Sequence, residues 1–200
     1  MPWELDLVDW RRQVFELYAA VRAQDRPEDA HSLWRARRDA LFRHHPQSPL
    51  PSSSPLRATG LSYWPYDPAL RFEVALRPSR TEQRVSVPTG PGETTVLRSA
   101  GSVDLPAPVG AVLEVWWLEQ YGGGLFLPLR DGTAGTTSYG GGRYLLDTAK
   151  GADLGSSAGA LNVDLNFLYH PSCRYDSEWQ CPLAPAQNSI GTPMRSGERL

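Results

Sequence analysis

Residues able to do chemistry concentrate in two stretches of the chain. The first, Arg130 to Tyr144, reads RDGTAGTTSYGGGRY. It sets three consecutive glycines, Gly140, Gly141 and Gly142, between Tyr139 and Arg143. Exposed backbone N–H groups beside arginine suit a carboxylate or phosphate, so Arg130, Arg143 and the three glycines are candidate ligand-binding groups. The glycine spacing matches neither the P-loop nor the dinucleotide fingerprint, and a strand rather than a helix is predicted to follow. The plainer reading is a bulged hairpin that needs positive φ and close backbone approach. Asp131 alternates with Arg130 and is expected to accept hydrogen bonds from the Thr133–Thr137 loop.

The second stretch begins at Tyr169-His170-Pro171-Ser172-Cys173, with Cys181 further on. His170 is the only histidine in the β-rich part and is the natural general acid or base. Tyr139, Tyr169 and Cys173 join it as candidates for proton transfer or nucleophilic attack, and Tyr175 and Asn188 as ligand-binding groups. The cysteine spacing leaves four readings open: buried free thiols, a disulfide, a metal site, or a Cys173 nucleophile activated by His170. His170, Cys173 and Cys181 would give zinc three ligands, but the usual two to four residues between cysteines is absent, and no metal is assigned. The sequence carries no serine-hydrolase elbow and no paired-histidine metalloprotease motif.

Several elements must position these groups. Residues 3–23 read as an amphipathic helix with Leu7, Trp10, Val14, Leu17, Tyr18 and Val21 on one stripe. A second helix spans Pro27–Phe42, with Pro27 at its first turn and Arg43, His44 and His45 placed to cap the dipole. The basic cluster Arg35–Arg38 reads as a solvated helix face. His45 to Pro55 holds four prolines and four serines and reads as a linker. The resulting division is a helical segment 1–45, a linker 46–55 and a β-rich domain 56–200.

Beyond the linker the apolar period falls to two. Leu70, Phe72, Val74 and Leu76 alternate with Arg71, Glu73, Ala75 and Arg77, as in a half-buried strand. Further strands are expected at Leu61–Tyr66, Gln83–Val87, Thr94–Arg98, Ser102–Leu105, Ala111–Leu118, Gly124–Leu129, Arg143–Asp147 and Leu161–Phe167, with a turn at 88–92. Turns between strands, and no crossover helices, predict a mainly β fold: an antiparallel small barrel or sandwich with two N-terminal helices. Adjacent Trp116 and Trp117 should face opposite ways, one of them into the core. Residues 168–200 form an irregular arm, too aromatic for disorder, expected to wrap the barrel and close one mouth.

Two hundred residues suit one domain. A net charge of -2 gives no general pull toward nucleic acid or anionic membrane. No apolar run approaches the ~20 residues that span a bilayer. The acidic N-terminus lacks a secretory pattern, which points to the cytoplasm.

Arg130–Asp147, Leu161–Asn188 and the closing Met194–Glu198 together resemble a bacterial family known as domain of unknown function 1684. HPQSPL and YWPYDPALRF fit the same pattern. The resemblance implies an N-terminal helical segment and a β-rich body, and brings no activity. It also implies Asn at the position of His170 and Glu at that of Gln187, so this chain departs at both.

The expected function is small-molecule binding, with enzymatic action on a polar or anionic substrate held between the glycine-rich hairpin and the arm. A non-catalytic interaction module, docking through Trp3, Trp10 and Trp34, is the alternative. A flavin-type barrel is a further one, resting on fold analogy alone. No cofactor is predicted, and the sequence sets no oligomeric state.

Overall fold

The structure, a computed structural model, describes residues 2–79, 82–90 and 92–200. Both expected helices form, α1 over Trp3–Arg22 and α2 over Pro27–His44. Glu28 and Asp29 occupy the first turn of α2 and Arg43 and His44 the last, each matching the sign of the helix dipole. Leu17, Tyr18 and Val21 of α1 enter one core with Trp34, Leu41 and Phe42 of α2. His45 does more than cap: its buried ring meets Asp9 Oδ2 at 3.2 Å and ties the two helices together.

The proline- and serine-rich stretch is packed rather than extended. Leu50 is buried in the core. Arg57, on the one-turn helix α3 (Leu56–Thr59), donates to the carbonyls of Arg43, Leu50 and Pro51. Helices and sheets therefore share one hydrophobic core across this segment.

After a short β1 (Ser62–Tyr63) comes β2 (Arg71–Ala75), where Phe72 and Val74 face inward between exposed neighbours, as the alternation requires. The main sheet is an antiparallel meander: β3 (Arg84–Gly90), β4 (Glu93–Leu105), β5 (Ala111–Leu118), β6 (Leu125–Leu129) and β7 (Arg143–Asp147), curled into a half-barrel. The two segments expected at Thr94–Arg98 and Ser102–Leu105 are one strand, β4, carried through a bulge between Ser99 and Gly101. Gly101 has φ +145, and a Cβ there would meet the Arg77 carbonyl oxygen at 2.4 Å. That close approach lets Arg77 and Ser102 exchange backbone hydrogen bonds and join two sheets. In the turn expected at 88–92, Pro91 lies outside the described residues, while Gly92 has φ +77.

Beyond β7, β8 (Ser156–Ser157) and β9 (Ala160–Asp164) complete a second sheet in the order β2-β9-β8. The strand expected to reach Phe167 stops at Asp164, whose carboxylate accepts from Asn166 N and caps a 3-10 turn over Leu165–Phe167. The strand expected at Leu61–Tyr66 shrinks to Ser62–Tyr63, paired with β10 (Glu198–Arg199) from the arm. Trp116 is fully buried and Trp117 is partly exposed, so the pair divides between faces as alternation demands. Around Trp116 a second apolar cluster gathers Phe126, Tyr144 and Cys181, with Trp179 packed against it.

The arm is irregular but pinned. Tyr169 exchanges backbone hydrogen bonds with Tyr144 on β7, and Ser189 bridges Arg130. Thr192 accepts from Gly132, and Leu168 accepts from Glu198 at 2.7 Å.

Candidate functional site

Two buried charge centres hold the arm. In the first, Arg143 at the start of β7 is fully buried. Its Nη2 donates to Asp131 Oδ2 and to the Met194 carbonyl, both at 2.8 Å. Its Nη1 donates to the carbonyls of Ser196 and, at 3.0 Å, Glu198. Asp131 accepts from Thr133 N, Thr133 Oγ1 and Met194 N as well. Burial raises the Asp131 carboxyl, but Arg143 outweighs it and the net shift is downward. A charge taken out of water needs this degree of satisfaction, and the pair clamps three arm carbonyls as a result.

Glu198 anchors the second centre. Its Oε2 accepts from Arg38 Nη2 at 3.0 Å and from the His170 amide at 3.0 Å. Its Oε1 accepts from the Tyr175 hydroxyl and faces His170 Nδ1 at 3.6 Å. Burial pushes the carboxyl up, but Arg38 and then His170 dominate and hold it down at about 2. His170 Nε2 accepts from the Tyr139 amide at 3.2 Å, so the ring proton resides on Nδ1, toward Glu198.

Beside this centre lies a chamber of about 90 Å³ between α1, α2, the end of β7 and the arm. By volume it holds about three waters. Its lining includes Tyr18, Arg38, Asp147, Tyr169, His170 and Cys181. Arg38 Nε and Asp147 Oδ1 are both buried and, among the described residues, have no hydrogen-bond partner. Burial raises the Asp147 carboxyl, an effect that Lys150 and Arg11 only partly offset. Burial also pushes the Tyr18 hydroxyl up to about 12 and Tyr169 well above its ordinary value. The chamber wall therefore brings together two residues with unfilled buried polar atoms, Arg38 and Asp147, and two neutral phenols.

The sequence-derived candidates fall into distinct groups. Tyr169 and His170 line the chamber, while Tyr139 and Tyr175 hold His170 and Glu198 from behind. Asn188 is fully buried; it accepts from Trp116 Nε1 and donates to the carbonyls of Glu114 and Pro128, which fixes the arm. Arg130 is exposed and bridges the hairpin through the Gly140 carbonyl. Gly141 and Gly142 pass close under Leu183 and Ala184 of the arm, and of the three glycines only Gly142 has positive φ. Cys173 packs near Tyr139 and Cys181. Among the described residues no three His, Cys, Asp or Glu side chains converge as a metal site needs, so His170 does not share a ligand set with the two cysteines.

Sequence reasoning missed Arg38, Asp147, Tyr18 and the role of Glu198. The solvated reading of Arg35–Arg38 holds for exposed Arg37, but not for Arg38, whose side chain is 12% exposed and ion-paired. The spacing from Trp34 to Arg38 to Leu41 and Phe42 puts this arginine on the apolar face, and that was the available signal. Gln187, at the other position of departure, is exposed.

These features define a half-barrel β protein with a helical hairpin over it and a charge-clamped arm. The chain belongs to the family described as Protein of unknown function (DUF1684), which matches residues 57–199. A similar solved structure is the solution NMR structure of the uncharacterized protein from gene locus rrnAC0354 of Haloarcula marismortui. It is 30% identical, with a TM-score of 0.57, over 83% of this chain and 90% of that one. No curated protein matches the chain. Among the described residues no helix is long and apolar enough to cross a membrane.

Proposed function

We propose that the protein binds a small polar or anionic molecule in the chamber and acts on it as an enzyme. One observation carries this reading: Arg38 and Asp147 both line one small cavity, and each holds a buried polar atom, Nε and Oδ1, that has no partner among the described residues. Such groups cost about 1–3 kcal/mol each when left unsatisfied, and a ligand with an acceptor at one end and a donor at the other removes that cost. The Asp147 carboxyl, raised by burial, suits proton exchange with a bound molecule. Tyr18 and Tyr169 supply neutral hydroxyls. Arg38 lines the chamber and Arg130 and Arg143 do not, so a ligand there meets Arg38, whose Nη2 is paired with Glu198. The chamber is far too small for a flavin ring system.

A thermal-shift screen of acetate, malonate, phosphate and short amino acids tests the proposal. A binder at a hundred times its Kd adds about 2.7 kcal/mol of stability. The expected result is such a shift in the wild type, lost in both Arg38→Met and Asp147→Asn. An equal shift in both variants would place the ligand elsewhere and end this reading.

A second reading has its own observation. Trp3, Leu5, Val8 and Phe15 on α1 are each about half exposed or more, whereas Trp34 is fully buried. In the interaction-module reading this leaves Trp3, not Trp34, for docking. Quenching of Trp3 fluorescence by acrylamide, unaffected by any candidate partner, would dispose of it.

A further inference from the structure

The two cysteines take no part in the chamber's ion pairs, yet they meet. Cys173 sits in a 3-10 turn over Ser172–Arg174 and is partly exposed. Cys181 is buried and lines the chamber. The Cys173 amide donates to Cys181 Sγ at 3.4 Å. A cysteine's own sulfur is three bonds from its amide nitrogen, so this contact sets the two cysteine residues side by side. The Cys173 thiol donates to the Tyr139 hydroxyl at 3.9 Å. Both backbones are fixed: the Cys181 amide donates to the Thr89 carbonyl at 2.7 Å, and the Tyr175 amide to Ser172.

We propose that Cys173 and Cys181 are a redox-active dithiol that reduces a hydroperoxide and closes into an intramolecular disulfide. Cys181 is the attacking sulfur. It lines the chamber, its Sγ accepts from the Cys173 amide, and its neighbour Cys173, outweighing burial and helped by Lys150, holds its thiol down. Cys181 in turn pushes the Cys173 thiol up. The cavity beside Cys181 admits a molecule of peroxide size.

In the first step the Cys181 thiolate attacks one peroxide oxygen. An S–O bond forms, the O–O bond breaks, and the leaving oxygen departs as water or alcohol after taking a proton. In the second, the Cys173 sulfur displaces the oxygen from the sulfenic acid. The S–S bond forms, the S–O bond breaks, and the Cys173 proton leaves with that oxygen as water. Two electrons pass from the sulfurs to the peroxide, and an external thiol restores the dithiol by exchange.

The test treats the reduced, full-length protein with hydrogen peroxide, blocks remaining thiols with an alkylating agent, and measures denatured intact mass and a peptide map. The expected product is about two mass units lighter, takes up no alkylator and carries a 173–181 cross-link. Cys173→Ser should stop at a sulfenic acid on Cys181 that dimedone traps, and Cys181→Ser should react roughly tenfold more slowly. Two alkylatable thiols surviving peroxide that oxidises free dithiothreitol would overturn the proposal. So would sulfinic acid without a cross-link, or a cross-link between two chains. If either serine variant fails to fold, the wild-type mass and map decide alone.

Discussion

Asp147 is the residue where stability and binding pull apart. Its Oδ1 is buried and has no partner among the described residues, and burial raises its carboxyl. Asp147→Asn removes a buried charge without breaking a hydrogen bond at that oxygen, so the free protein should gain stability, by about 1 kcal/mol. Thermal denaturation with no added ligand checks this, and a lower Tm would mean that Oδ1 already has a partner in solution. Gly197 is the opposite case. It has φ +69, and a Cβ would lie 2.3 Å from the Leu168 carbonyl oxygen, the acceptor for the Glu198 amide. Gly197→Ala must strain the backbone and push Glu198 away from Arg38 and His170. A loss of at least about 2 kcal/mol in a urea titration is expected.

At the scale of elements, the arm is held by charge more than by regular pairing. Arg143→Met strands Asp131 in the core and releases three arm carbonyls. Breaking one partner of a buried pair costs about 3–5 kcal/mol. Amide hydrogen exchange should then rise first at Met194 and Glu198, and unchanged protection there would show that the clamp is dispensable. Much at this scale was legible in the sequence. The stripe of α1, the capping of α2 and the apolar runs of β5 and β7 are local patterns, and the elements form within a residue or two of where those patterns put them. The division of Trp116 from Trp117 followed from alternation alone. What could not be read was long-range. Arg38 stands in a run of arginines, and nothing near it announces that its partner is Glu198. Asp147 looked like a strand end because its isolation is a property of the cavity. Gly101 gave no sign that it joins two sheets, since the Arg77 carbonyl that crowds it belongs to another segment.

For the whole molecule, a core that runs from α1 through the sheets to Met194 argues for one cooperative unfolding transition, with no separate melting of the helices. Acid should weaken it in two windows. His31 is buried among Trp34, Tyr66 and Phe167, and burial, helped by Arg35, lowers its pKa from 6.5 to about 4. The unfolded chain therefore binds the extra proton first, and stability falls as pH drops through that interval. Glu198, lowered from 4.5 to about 2, removes stability over the next interval by the same sign. Asp147 and Asp164, raised above 3.8 by burial, take up protons first in the folded state and partly offset the loss. His31→Phe should flatten the upper limb of a stability–pH curve, and Glu198→Gln the lower one, at a cost in stability near neutrality. A curve with unchanged shape in both variants would count against these assignments.

The Arg38–Glu198 pair spans 160 positions of chain. A ribosome therefore delivers the guanidinium, and the tryptophan-rich hairpin that carries it, long before the carboxylate. Through that interval β1 also waits for β10, and Arg143 for the carbonyls of Met194, Ser196 and Glu198. The nascent chain should stay uncommitted, with its apolar helices a target for chaperones, until residue 199 clears the exit tunnel and folding proceeds at once.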